Sequence, residues 1–283
     1  MRLLLEALDR FVAQARAARR ERVLATARRD AARRIGEAFR EQGRLLLDGM
    51  REYRWRFALR EAGPATGVPA KKKRPAQEWF PEWDALFSRA AAQTARAFTI
   101  PLERLVRFAL KVGAQEVDAG VGVSFSLSNP RAQSYLEAHG AELVRNIDET
   151  TRQAIHDILV EGEQQGWSYD RVAQEIIARF EEFAVGRPQE HIDSRAHLIA
   201  VTESGNAYEA GNYLPIRAMA EAGLEMEKSW LTVGDDRVSE VCQGNQDEGW
   251  IPWDQAHESG QQHPLAHPAC RCTELYRRKG SEG

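Results

Sequence analysis

Four soft metal ligands lie close to the carboxyl end of the chain. His267, Cys270 and Cys272 fall within HPLAHPACRC, residues 263–272, and Cys242 is the only cysteine outside that segment. Structural zinc takes four nitrogen or sulfur ligands, and three cysteines with one histidine are a known set. The two cysteines of the segment have a single residue between them, however, instead of the usual gap of two. The spacing therefore leaves two interpretations open: a structural zinc site, or buried thiols of which Cys242 could form a disulfide with either partner.

Catalytic chemistry is less well supported by these residues. The segment HESGQQH, residues 257–263, lacks the HExxH spacing of zinc proteases, and Gly260 interrupts any helix there. Asp235 and Asp236 are adjacent, so their side chains diverge, and aspartates commonly initiate turns. The chain also contains no GxxxxGK phosphate-binding loop. We therefore expect a protein without enzyme activity or a small-molecule substrate. A zinc-dependent nuclease or hydrolase that uses the terminal Cys/His group is the alternative.

The charge of the chain is unevenly distributed. Residues 1–75 contain 20 Lys and Arg against 9 Asp and Glu, whereas the remainder contains 19 against 33. Every Lys or Arg before position 71 is arginine, which binds phosphate and carboxylate groups in a bidentate manner. A basic segment on an acidic body predicts contact with nucleic acid or an acidic protein surface, and a solvated helix face is the alternative. The predicted contact residues are Arg16, Arg19, Arg20, Arg28, Arg29, Arg33, Arg34, Lys71, Lys72, Lys73 and Arg74.

The composition restricts the class of protein. A chain of 283 residues suffices for one large domain or two smaller ones, and its 43% of hydrophobic residues is typical of globular proteins. No apolar run approaches the roughly 18 residues of a membrane span. Glu6 and Asp9 interrupt the first apolar run too early for a signal peptide. Three cysteines argue against a disulfide framework. We expect a protein made and kept in a cytoplasm, with no membrane partner.

Apolar periodicity predicts a mainly α fold, in which a helical body carries a small, irregular α+β lobe with the Cys/His group. The first helix is arginine-rich and amphipathic, with Phe11, Val23, Ile35 and Phe39 on its apolar face. Helical periodicity is lost after residue 229, where KSWLTVGDD and CRCTELY are predicted short strands joined by loop. The predicted domains are 1–60, a basic helical arm; 61–77, a Pro/Gly/Lys linker; 78–128, a helical connector; 129–276, a carboxy-terminal domain; and 277–283, a tail.

A helix predicted from about Ser194 combines small and charged residues. Its small residues would let a neighbouring helix approach closely, and they are Ala200, Ala207, Ala210 and Gly211. Arg195 and Glu203 lie on the same helix. They are interpreted as a buried Arg–Glu pair that ties this helix to a second one. A substrate-binding pair is the alternative.

Six short motifs follow one another in this part of the chain: RAHLIAVTESGNAYEAG, W-x-T, DDRVSEVC, N…GWIP, SG and HPACRC. Their order and gaps resemble the Mu F-like domain of phage head morphogenesis proteins, also called minor head proteins. That family pattern runs from R-A-x-x-I-A-x-T-E through D-x-R-x-C-x-x-C to H-P-x-C-R-C. The resemblance covers roughly residues 129–276. The matching residues are Arg195, Thr202, Glu203, Trp230, Thr232, Asp235, Arg237, Cys242, His267, Cys270, Arg271 and Cys272.

One position departs from the family pattern. Ser239 stands where many members have the first cysteine of the C-x-x-C pair, so a site of four thiolates is impossible here. The resemblance then implies that no cofactor is required, or that His267 is the fourth ligand of a structural zinc. Without metal, His267 and Arg271 are expected to hydrogen-bond the backbone while the thiols pack together.

The resemblance implies a non-enzymatic protein of a phage or prophage head. Such a protein lies in the capsid interior or at the portal vertex and is assembled in the cytoplasm of the host bacterium. The implied partners are the portal protein, the major capsid protein, or both. The basic segment would neutralise phosphates of packaged double-stranded DNA, which predicts strongly salt-dependent binding. Because some Mu F-like domains are fused to effector domains, a toxin is a further alternative.

Overall fold

The computed structural model describes residues 2–61, 80–121, 126–165, 171, 174–176 and 195–280. Within these ranges the chain is mainly α-helical with one small sheet, as predicted. The helices are α1 (Arg2–Glu61), α2 (Phe80–Val121), α3 (Pro130–Gln164), α4 (Arg195–Glu221) and α5 (Glu240–Asp247), and the strands are β1 (Met226–Leu231), β2 (Ile251–Pro252) and β3 (Thr273–Arg278). Almost all of the predicted linker lies outside the described residues. No described helix is long and apolar enough to cross a membrane.

The chain divides into two compact units, each assembled from separate segments. The first consists of Met1–Ala32, Leu102–Gly140 and His197–Gly283, and the second of Arg33–Pro101 and Ala141–Ala196. Each unit therefore contains part of α1, part of α2 and part of α3. The first unit also contains the sheet, α5 and the terminal Cys/His segment. The predicted domain boundaries stay predictions.

The predicted arginine-rich helix is present as α1, which runs without a break for 60 residues. Leu24, Ile35 and Phe39 are fully buried on its apolar face. The predicted face is wrong at two positions, since Phe11 is 68% and Val23 is 41% exposed. The helical period explains the error: Leu24 lies about 20° from Ile35 around the helix axis, whereas Val23 and Phe11 each lie about 120° away.

The second unit has its own core of apolar and polar contacts. Phe39 of α1 packs edge-to-face on Phe98 of α2, with ring centroids 4.9 Å apart. The buried amide of Gln42 donates to Thr94 Oγ1 at 3.3 Å and to Asp148 Oδ1 at 3.0 Å. These contacts join α1, α2 and α3 within that unit.

In the first unit, α2 and α4 cross at two glycines. A Cβ atom on Gly211 would lie 2.2 Å from the Leu110 carbonyl oxygen, and one on Gly113 would lie 2.0 Å from the Tyr208 carbonyl oxygen. Both distances are shorter than van der Waals contact, so only glycine permits this approach of the two backbones. The predicted close packing of another helix at Gly211 is confirmed.

The sheet has the order β2–β1–β3, and β1 pairs antiparallel with both neighbours. Trp230 of β1 lies opposite Glu274 of β3. The strands β1 and β3 are the two predicted from sequence, although β3 begins at Thr273, after CRC. The helix α5 and the strand β2 were predicted as loop, which is wrong. Both are too short, at eight and two residues, for apolar periodicity to identify them.

Candidate functional site

Three cysteines from distant positions in the sequence meet beside Trp230. The Sγ atoms of Cys242, Cys270 and Cys272 lie within 4.8 Å of one another. Each of these cysteines is at most 5% exposed, and the fully buried Trp230 packs in the same cluster. The Sγ atoms of Cys242 and Cys270 are 3.7 Å apart, whereas a disulfide bond is about 2.05 Å long, so these are free thiols.

His267 lies at the edge of this group. Its Nε2 atom is 3.6 Å from Cys242 Sγ, and its Nδ1 atom is 3.0 Å from the Pro268 carbonyl oxygen. Because a carbonyl oxygen only accepts, Nδ1 carries the hydrogen and Nε2 keeps its lone pair on the side of the thiols. The backbone hydrogen bond expected of His267 is therefore present. The three cysteines and His267 are called the Cys3His cluster below.

The helix α5 orients Cys242 toward the other thiols. Ser239 is its N-cap, and the Ser239 Oγ atom accepts a hydrogen bond from the Cys242 backbone N–H at 3.2 Å. An N-cap of this kind satisfies a backbone donor that has no partner within the helix. Ser239, the one departure from the family pattern, thus holds Cys242 in the first turn. The positive end of the helix dipole favours a thiolate there.

Two side chains fix the loop that carries Cys270 and Cys272. Thr202 Oγ1 of α4 accepts a hydrogen bond from the Ala269 backbone N–H at 3.0 Å. Ala269 has φ of 56°, a left-handed conformation that residues other than glycine rarely adopt, so this contact stabilises an unfavourable backbone. Nη2 of Arg271 donates to both carboxylate oxygens of Asp235, at 2.8 and 2.7 Å. The expected bond from Arg271 to the backbone is thus corrected to an ion pair with Asp235.

Arg20 of α1 binds the same loop from within the first unit. Its Nη1 atom donates to Glu209 Oε1 at 3.2 Å and to the Cys272 carbonyl oxygen at 3.0 Å. Its Nη2 atom donates to the Arg271 carbonyl oxygen at 2.5 Å. Arg20 is 3% exposed and Glu209 is fully buried. One guanidinium group therefore connects α1, α4 and the loop before β3.

The prediction that Arg20 and Arg28 contact DNA or an acidic surface is wrong. Arg28 is 4% exposed, and it donates to Ser204 Oγ and to Glu21 Oε2, each at 2.6 Å. A buried guanidinium that is already paired cannot reach a phosphate. The helical spacing could have shown this, because Arg20 and Arg28 each lie four residues from the buried Leu24.

The remaining predicted contact residues fall into two groups. Those described by the structure are Arg19, Arg29, Arg33 and Arg34, which are exposed, and Arg16, which is half-buried. Some of this charge is compensated on the same helix, since Arg33 pairs with Glu37 at 2.8 Å. The others, Lys71, Lys72, Lys73 and Arg74, lie outside the described residues. Contact of these residues with DNA stays a prediction.

Four further motif residues have different surroundings. The backbone N–H and Oγ1 of Thr232 both donate to Gln246 Oε1, at 2.8 and 2.7 Å, which joins the end of β1 to α5. Arg237 is exposed, and Glu203 is half-buried on α4. The side chain of Arg195 lies outside the described part of the chain, so its pairing with Glu203 stays a prediction.

A buried polar group that the sequence did not indicate packs against Trp230. The ring of His257 lies 5.1 Å from the Trp230 ring, and its nitrogens lie 3.1 Å from Glu274 Oε1 and 3.3 Å from Glu248 Oε2. The neighbouring Lys228 is fully buried and donates to a loop carbonyl. Burial raises the pKa of Glu274, and the contact with His257 opposes that shift. Lys228 and Glu274 lie on β1 and β3, whereas His257 lies in a loop, so no periodic pattern in the sequence indicated this group.

One carboxyl group and two thiols of this region have displaced pKa values. Burial raises the pKa of Glu209 to about 7, against the lowering effect of Arg20. Hydrogen bonds from Cys270 and Cys272 lower the pKa of Cys242 to about 3, and the same group of contacts raises the pKa of Cys272. Of Cys242 and Cys272, Cys242 is therefore the thiol that loses its proton first.

Comparison with known proteins identifies the region that contains this site. Residues 153–275 match the family model described as Phage Mu protein F like protein. The match includes α4, β1, α5, β2 and all four members of the Cys3His cluster. No significant match was found among curated proteins or among solved structures.

Proposed function

We propose that this chain, whose residues 153–275 match the phage Mu F-like family model, is a non-enzymatic minor head protein. In this proposal it assists head morphogenesis of a phage or prophage, inside the capsid or at the portal vertex. Its partners are the portal protein, the major capsid protein, or both, and assembly takes place in the cytoplasm of the host bacterium.

The proposal rests on what the motif residues contact in the structure. Trp230 and the three thiols are buried together, Thr202 holds the backbone at Ala269, and Asp235 holds Arg271. These side chains maintain a fold, whereas catalytic groups have to contact a substrate. A motif whose residues stabilise the fold favours a domain with a rigid surface that other head proteins recognise.

The alternative of a zinc-dependent nuclease or hydrolase is less compatible with the Cys3His cluster. A catalytic zinc has three protein ligands and an open fourth position for water or substrate. Here the three cysteines are at most 5% exposed with their Sγ atoms within 4.8 Å of one another, and His267 Nε2, the candidate fourth ligand, lies 3.6 Å from Cys242 Sγ. Metal-dependent cleavage of DNA that disappears with a chelator would revive this alternative.

The exposed arginines of α1 support a second part of the proposal, contact with packaged DNA. Arg29 and Arg34 are exposed on α1, and each phosphate contact contributes about 0.9 to the slope of log affinity against log salt. Replacing both with Gln should therefore reduce that slope by roughly two, measured by fluorescence anisotropy on duplex DNA. Arg28 is buried, so its replacement would disturb the fold and is not a suitable control. The control is Arg22→Gln, at an exposed arginine of the same helix. An unchanged slope would remove DNA contact at Arg29 and Arg34.

The main proposal is tested by head assembly in cells that express this gene together with its neighbouring head genes. Omitting the gene should reduce the yield of heads, or of heads filled with DNA, on density gradients. A plasmid copy should restore the yield. Normal heads without the gene would contradict a function in morphogenesis.

Two neighbouring aspartates provide matched variants for this assay. Asp235→Ala removes the ion pair with Arg271 and should lower the yield of heads, because the loop bearing the cysteines is less firmly held. Asp236→Ala changes an exposed aspartate next to it and should complement fully. Equal complementation by both variants would show that this loop does not matter for assembly.

A further inference from the structure

The geometry of the Cys3His cluster points to a structural zinc site, in which Cys242, Cys270 and Cys272 supply thiolates and His267 supplies Nε2. The head function does not depend on this assignment, and the assignment does not depend on the head function. The zinc assignment rests on the distances between the ligand atoms, on the hydrogen bond from His267 to the backbone, and on the burial of the thiols.

Two of the distances between the candidate ligand atoms are those of a tetrahedral zinc site. Zn–S bonds of about 2.3 Å at tetrahedral angles place two sulfurs about 3.8 Å apart, and a sulfur and a nitrogen about 3.6 Å apart. The Sγ atoms of Cys242 and Cys270 are 3.7 Å apart, and Cys242 Sγ lies 3.6 Å from His267 Nε2. The third sulfur, on Cys272, is within 4.8 Å of both others, so a small inward movement brings the three sulfurs to tetrahedral separation.

The contact of His267 with the backbone is the arrangement expected of a metal-bound histidine. Ligating histidines nearly always donate their other ring N–H to a carboxylate, a carbonyl or water, which fixes the tautomer. Here Nδ1 donates to the Pro268 carbonyl oxygen at 3.0 Å, and Nε2 is the nitrogen next to the sulfurs. The other histidine of the segment, His263, donates from Nδ1 to the Pro264 carbonyl oxygen at 2.7 Å, and its ring packs on Tyr213.

The surroundings of the cluster favour a closed, structural site. Trp230 is fully buried against the thiols, and Ser239 and Thr202 fix the backbone on either side of the cluster. Zinc binds the three cysteines as thiolates, so any proton that a thiol still carries is released to solvent, and the histidine binds through its unprotonated Nε2. The metal would join the first turn of α5 to the loop before β3, which are separated by 28 residues between Cys242 and Cys270.

The site is tested on the full chain, purified under reducing conditions without chelator and with any histidine tag removed. Metal analysis by plasma mass spectrometry should give one zinc per chain. Replacement by Co²⁺ should give the visible absorption of a tetrahedral thiolate site, with a weaker sulfur-to-metal charge-transfer band when one cysteine is replaced by serine. Chelation should remove the metal and lower the thermal stability of the protein.

The two histidines of the segment provide a matched pair of variants. His267→Ala leaves the thiols in place and should weaken zinc binding by more than the roughly 10- to 100-fold that is lost when only the hydrogen-bond partner of a ligand is removed. His263→Ala, four residues earlier, should leave the zinc affinity unchanged. Two results would overturn the assignment: a chain that holds no zinc even after dialysis against the metal, or one in which two of the cysteines form a disulfide in the native protein. Equal zinc affinity in both variants would exclude His267 as a ligand.

Discussion

Replacement of Arg20 by Met tests whether α1 is part of the carboxy-terminal structure. The substitution keeps an unbranched side chain of similar length but removes three hydrogen bonds, to Glu209 and to the carbonyl oxygens of Arg271 and Cys272. Arg29→Met is the matched control, because Arg29 is exposed on the same helix. The two variants lose the same charge and differ only in what that charge contacts.

The expected loss follows from burial of the pair. Breaking a buried ion pair by removing one partner costs about 3–5 kcal/mol, because the other charge stays buried without compensation. Since the pKa of Glu209 is about 7, much of that carboxyl group is protonated at pH 6 and it is mostly ionised at pH 8. The destabilisation by Arg20→Met should therefore be larger at pH 8 than at pH 6.

Hydrogen exchange of the amides of β3 measures this effect within the unit that contains it. At about 1.36 kcal/mol per tenfold change, a loss of 3–5 kcal/mol lowers the protection of these amides roughly 100- to 5,000-fold. Arg29→Met should leave the protection within a few-fold of the wild type, since surface substitutions usually change stability by less than about 0.5 kcal/mol. Equal protection in the two variants would refute the argument that Arg20 stabilises the carboxy-terminal structure.

Three other changes give separate tests by urea unfolding. Burial raises the pKa of Glu209 from 4.5 to about 7, so the folded chain binds that proton more tightly and stability falls as pH rises through this interval. Glu209→Gln should remove that fall, on the order of 3 kcal/mol, and an unchanged pH profile would contradict it. Gly211→Ala should destabilise by about 1–3 kcal/mol through its clash with α2, whereas Gly244→Ala, which meets open space, should not destabilise. Thr202→Val should cost about 1–3 kcal/mol by leaving the Ala269 N–H unpaired, and a neutral result would dismiss that contact.

The Ser239 position gives a further test of the proposed zinc site. Ser239 Oγ contacts Cys242, and its hydrogen bond contributes to lowering the pKa of that thiol. Ser239→Cys placed in the His267→Ala variant should therefore supply a fourth thiolate and restore zinc binding, measured by metal content. If the double variant bound zinc no better than His267→Ala alone, position 239 would lie too far from the metal to supply a ligand.

The sequence predicted the long helices and two strands because their apolar periodicity extends over many residues. The same criterion failed at α5, where the helix depends on the Ser239 cap and has only eight residues. It also failed at Val23, which a count of helical angle from Ile35 would have excluded. Apolar periodicity thus predicted the long helices and two of the strands. The short elements α5 and β2 depend on a helix cap or on pairing with β1, and they were identified only in the structure.

The candidate site was predicted in part, because its members share an unusual chemistry. Cys242, His267, Cys270 and Cys272 are recognisable as soft ligands wherever they lie in the sequence. Arg20 is not recognisable in this way, since its long-range partners lie 189 to 252 residues away in the sequence and it is one of several arginines in this part of the chain. Burial of one arginine among many depends on tertiary packing, which charge counting cannot detect.

The central proposal is that this chain is a component of a phage head. Quantitative mass spectrometry of density-gradient-purified heads, from cells expressing this gene and its neighbours, tests that claim most directly. The claim predicts that the chain is present at a low, fixed ratio to the portal protein and is retained after a wash in high salt. Absence from both procapsids and mature heads would contradict it.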